Sequence, residues 1–90
     1  MNMFIEATRN ELRILIHLWN SKSGILTSRQ LVNIITNKFY KYYYPDYVYR
    51  NIISLKNKGL ICEEIIYKQT FLKPTLSLEE YIEHILNFKY

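Results

Sequence analysis

The chain carries one cysteine, two glycines and two prolines in 90 residues. The single thiol, Cys62, closes no internal disulfide and completes no four-cysteine zinc site, and it fits a reducing, cytoplasmic setting. No apolar stretch approaches the roughly 18–20 residues of a membrane span. Residues 1–10 hold Glu6 and no basic cluster, so they are not read as a signal peptide. Internal repeats, linkers and low-complexity tracts are missing, and the length suits one domain, residues 1–90. Acidic residues are scarce: eight against twelve basic ones, a net charge of +4.

That charge is unevenly spread. Through Ile61 there are nine basic residues against Glu6, Glu11 and Asp46, a balance of +6; from Cys62 onward three face five acids, a balance of −2. An excess of positive charge on one part of a small domain suits a polyanionic partner.

Three pairs carry the capping-box signature, Thr8/Glu11, Thr27/Gln30 and Ser77/Glu80. In it, a hydroxyl and a carboxylate or amide three residues on satisfy each other's orphan backbone N–H groups. Each opens an apolar pattern of helical period. The first helix is predicted over Arg9 to Asn20, with Leu12, Leu15, Ile16 and Trp19 inward and Ile14 and Leu18 widening the stripe. The second follows Thr27, with Leu31, Ile34, Ile35 and Phe39 inward, and runs into the aromatic segment Tyr40 to Tyr44. Pro45 ends that run and suits the first turn of a third helix, which buries Val48, Ile52 and Leu55 and stops at Gly59 in the left-handed C′ position.

Beyond Gly59, two β-prone runs flank Lys68-Gln69-Thr70, a hairpin over about 60–74 without Asn-Gly or Asp-Gly at its turn. A fourth helix, over about 77–88, sets Leu78, Tyr81, Ile82, Ile85 and Leu86 on one stripe. The order helix-helix-helix-hairpin-helix is mainly α with a small β-hairpin. It reads as a winged helix-turn-helix.

Glu11-Leu12 through Leu18-Trp19, Val48 through Leu55, Lys58-Gly59-Leu60-Ile61, and Pro74 followed by Glu79-Glu80-Tyr81 resemble the penicillinase-repressor family of winged-helix transcriptional regulators. The resemblance spans most of the chain and implies sequence-specific recognition of double-stranded DNA by a repressor. Tyr47 and Arg50 stand where the family commonly has Thr, and Asn51 replaces an aliphatic residue, so a different operator is implied. Family members continue into further helices that form a dimer; one helix follows the wing here.

With Val48, Ile52 and Leu55 inward, Tyr47, Arg50, Asn51, Ser54 and Lys58 are expected outward, toward DNA. Arg50 and Asn51 have the donor geometry for guanine and adenine edges in the major groove. Arg29 and Lys41 on the second helix and Lys68 on the wing are the expected backbone contacts. Ile14, Leu18, Tyr81, Ile82 and Ile85 are the expected seam of a homodimer, the alternative for the fourth helix being that it folds back on its own domain. A winged helix can also serve as an interaction module for a protein partner without binding DNA. The tyrosine cluster is the surface for that second reading.

Catalysis finds no footing. His17 lies among apolar neighbours, and Glu80 and His84 supply two metal ligands where a site needs more. Glu63 and Glu64, adjacent on a strand, face opposite ways. No enzyme activity, metal or cofactor is expected.

Overall fold

All three capping pairs form. Thr8, Thr27 and Ser77 each accept a hydrogen bond from the backbone N–H three residues on, and the side chains of Glu11, Gln30 and Glu80 accept one in return. The computed structural model describes residues 6–39 and 45–89. The elements are α1 (Arg9–Asn20), β1 (Leu26–Thr27), α2 (Ser28–Phe39), α3 (Pro45–Asn57), β2 (Ile61–Ile66), β3 (Gln69–Pro74) and α4 (Leu78–Lys89). Tyr40 to Tyr44, and with them Lys41, lie outside the described residues.

Helix α3 ends as its glycine demands. Gly59 has φ 73°, its N–H donates to the Lys56 carbonyl at 2.9 Å, and the Leu60 N–H reaches back to Leu55 at 3.0 Å. This is the paired closure of a Schellman motif, with Leu60 and Leu55 both buried beside it. The chain therefore turns sharply from α3 into the wing.

Strands β2 and β3 pair antiparallel, and β1 adds a third strand in the order β1-β3-β2. β1 is two residues long, Leu26 opposite Leu72 and Thr27 opposite Phe71, too short to leave a periodic signal in the sequence. The hairpin turn also differs from expectation. Ile66 pairs with Gln69, so the loop is Tyr67-Lys68, and Gln69-Thr70 already belong to β3. Both loop residues have positive φ, 49° and 65°. That is the mark of a type I′ turn, which matches the twist of the flanking strands but favours Asn-Gly. For residues with a Cβ, each left-handed conformation costs about 1–2 kcal/mol. Replacing Tyr67-Lys68 with Asn-Gly is thus expected to raise stability by about 1–2 kcal/mol, read as an upward shift of thermal midpoint. An unchanged or lower midpoint would show that the turn holds no strain.

The core gathers Leu15, Leu18, Leu31, Leu55 and Leu72, none with appreciable exposure, around Val48, Ile52 and Ile61. Helix α1 is turned from its expected orientation: Glu11, Ile14, Leu15 and Leu18 are buried, Leu12 and Trp19 are half-buried, and Ile16 is exposed. On α2 the inner face is Leu31, Val32 and Ile35, with Ile34 exposed. Ile14 and Leu18, expected at a dimer seam, are inside the chain's own core and offer a partner no surface.

Helix α4 returns to that core. Tyr81 is buried, its ring lies 5.6 Å from Trp19, and its hydroxyl accepts the Ala7 N–H at 3.0 Å. The Trp19 indole donates to the Leu76 carbonyl at 2.9 Å. Ile85 packs half-buried beside them, so Tyr81 and Ile85 serve the chain's own fold. Beside them on the same stripe of α4, Leu78, Ile82 and Leu86 are exposed.

Candidate nucleic-acid interface

Burial of Val48, Ile52 and Leu55 fixes how α3 is rotated, and its remaining positions divide into two groups. One flank turns toward α1. Tyr47 accepts a hydrogen bond from the Asn10 amide at 2.7 Å through its hydroxyl, and its backbone carbonyl accepts the Asn51 amide at 2.9 Å. One and two turns further, Ser54 Oγ donates to Glu11 Oε2 at 3.0 Å and Lys58 Nζ to Glu11 Oε1 at 2.6 Å.

Glu11 is the hub of this flank. Only 2% of it is exposed. Burial alone raises its carboxyl pKa, but the hydrogen bonds from Lys58, Thr8 and Ser54 outweigh that and hold it below its ordinary value of 4.5. Ser54 and Lys58 were expected to project outward toward DNA; they are instead drawn onto a buried carboxylate. The physical reason is that a carboxylate on α1 leaves water only when donors meet it, and α3 supplies two.

The exposed positions of α3 include Asp46, Tyr49, Arg50, Ile53 and Asn57, and Tyr47, exposed as expected, lies on the flank toward α1. Arg50 stands among them as expected; Asn51, half-buried, sits at the edge of this exposed face. Tyr49 and Ile53 are further exposed positions, not among those expected outward. Spacing places Ile53 there, since 46, 50, 53 and 57 lie opposite 48, 52 and 55 on a helix of 3.6 residues per turn, and Tyr49 is one turn before it.

Two other elements border this face. Tyr49 lines an open cleft of about 300 Å³ with Thr27, Ser28 and Arg29 at the start of α2 and Gln69 and Thr70 at the start of β3. Arg29 is exposed there, at the positive end of the α2 dipole. At the wing tip Lys68 is exposed and Tyr67 almost wholly so, at 96%. Lys56 near the end of α3 and Lys73 on β3 pair with Glu63 and Glu64 of β2 and cancel locally. Among the described residues, Arg29, Arg50 and Lys68 are exposed cations on α2, α3 and the wing.

Among the described residues no group of three or more His, Cys, Asp and Glu side chains is placed to hold a metal ion. No helix there is long and apolar enough to cross a membrane.

No protein-family model matches the chain, and no curated protein matches it. Among solved structures, the chain is similar to the solution structure of the DNA-binding domain of the repressor BlaI. The TM-score is 0.72 over 90% of this chain and 94% of that one, at 12% sequence identity. At that identity the likeness establishes the winged-helix fold, and it agrees with the family resemblance at the level of fold.

Proposed function

We propose that the chain binds double-stranded DNA, with the exposed face of α3 in the major groove, the start of α2 on the phosphate backbone and the wing tip alongside. The observation that carries this is Arg50 exposed on the helix whose Tyr49 lines a cleft with Arg29 at the start of α2 and with Gln69, next in sequence to the exposed Lys68. Its fold is shared with the DNA-binding domain of a repressor. Arg50 is the base-reading residue of this interface, and Arg29 and Lys68 hold phosphates. Asn51 and Tyr47 contribute from the edge of the face.

The role is that of a cytoplasmic transcriptional repressor acting as a homodimer on a palindromic site, with half-sites one helical turn apart. Ile82, with Leu78 and Leu86 one turn to either side, forms the dimer contact; this row supports it because it is apolar and exposed. Ile82→Asp is expected to leave the thermal midpoint of the monomer within a few degrees while shifting the sedimentation equilibrium to monomer. A wild-type chain that sediments as monomer at all concentrations would refute the dimer.

The decisive experiment for DNA binding is a salt titration with random-sequence duplex. With Arg29 and Lys68 on phosphates, two cations per chain, log affinity is expected to fall against log salt with a slope of about −2 per chain. No binding to any duplex at low salt would leave the protein-interaction reading in its place.

A further inference from the structure

The face assigned to DNA carries more apolar surface than a phosphate-tracking helix needs. Ile53 is 52% exposed and Tyr49, one turn before it, 42%. They share a flank of α3, and Arg50 lies between them in sequence and next to Ile53 on the helix surface. Tyr49 lines the cleft formed with the start of α2 and of β3. An isoleucine on this flank has no hydrogen bond to offer, so it adds nothing to the holding of phosphates. It can gain only by burying carbon against carbon.

In the major groove one base presents a methyl group at its edge: thymine, at its C5 position. We propose that Ile53, buttressed by Tyr49, reads a thymine methyl beside the base pair contacted by Arg50. This rests on the DNA-binding reading and adds to it a base preference. Arg50 and Ile53 are three positions apart, so their side chains project side by side and span adjacent steps of the groove. The site would then pair a hydrogen-bond acceptor edge with a neighbouring thymine.

Removing the thymine methyl isolates the contact, because uracil keeps every hydrogen-bonding group. Duplexes recovered by selection from a random pool are synthesised with thymine and with deoxyuridine at each thymine in turn. Loss of one buried methyl is expected to weaken wild-type binding about fourfold at one position in each half-site. Ile53→Ala, which loses the contact in both half-sites, is expected to bind the thymine duplex about fifteenfold more weakly and to be indifferent to uracil at that position. Since Ile53 is half exposed, its truncation leaves the fold intact, checked by an unchanged thermal midpoint.

Three other outcomes count against the idea in separable ways. A recovered duplex that wild type binds equally with uracil throughout overturns the methyl contact while leaving DNA binding standing. A uracil penalty that persists in Ile53→Ala assigns the contact to another residue and overturns the role of Ile53. Failure to recover any duplex overturns the DNA-binding reading and this inference with it.

Discussion

Replacing Lys58 with Met is expected to destabilise the fold by about 3 kcal/mol, lowering the thermal midpoint by more than about 10 °C. Lys58 is about one-fifth exposed, whereas Glu11, its partner, is 98% covered and cannot turn to water. The substitution leaves that carboxylate with Ser54 and the Thr8 N–H as its donors. An uncompensated buried charge is the expensive half of a broken pair. A second replacement tests the cause. In Glu11→Leu/Lys58→Met both charges are gone, and most of the loss is expected to return, less the cap contribution of about 1 kcal/mol.

The pH dependence carries a sign of its own. Because the Glu11 pKa is lowered in the folded state, its contribution is complete above the ordinary value of 4.5 and disappears as pH falls through the folded value. The gap between wild type and Lys58→Met is therefore expected to be widest near neutral pH and to narrow in acid. A gap independent of pH would mean that Lys58 acts through packing. DNA binding by the variant, measured well below its thermal midpoint, is expected to keep the wild-type salt slope, since Lys58 faces Glu11.

Arg50→Ala is expected to behave in the opposite way. Arg50 is exposed, so stability changes by less than about 0.5 kcal/mol. Discrimination at one base position falls by about 1–3 kcal/mol, a loss of roughly 5- to 150-fold. Arg29→Ala, at the start of α2, weakens binding to all sequences evenly and reduces the salt slope by about 1. The contrast between a base-specific loss and a uniform one is what separates reading from holding. Equal behaviour of the two variants in a binding-site selection would remove Arg50 from the groove.

Much of this fold was legible because its boundaries are chemical. Three capping boxes, Pro45 and Gly59 each impose a local backbone geometry that later packing has no reason to undo, and the helices begin and end there. What went unread were the rotations. Helix α1 carries two overlapping rows, Leu12-Leu15-Ile16-Trp19, the apolar stripe from which its orientation is read, and Glu11-Ile14-Leu15-Leu18. The second is the buried one, because Glu11 meets Lys58 and Ser54 from a helix more than forty positions away. No local pattern announces a partner at that distance. The same pair explains the misplaced site residues on α3: once Glu11 goes inside, Ser54 and Lys58 must follow it. Tyr67-Lys68 as the turn was hidden for another reason, since neither residue favours the backbone it adopts.

The central claim, that the exposed face of α3 with its two borders receives duplex DNA, is tested most directly by following backbone amide resonances of the labelled chain as duplex is added. Ser28 to Arg29, Tyr49 to Ile53 and Tyr67 to Lys68 are expected to shift together and saturate at one stoichiometry, while α4 responds weakly. Shifts confined to α4, or none at all along α3 at low salt, would contradict it.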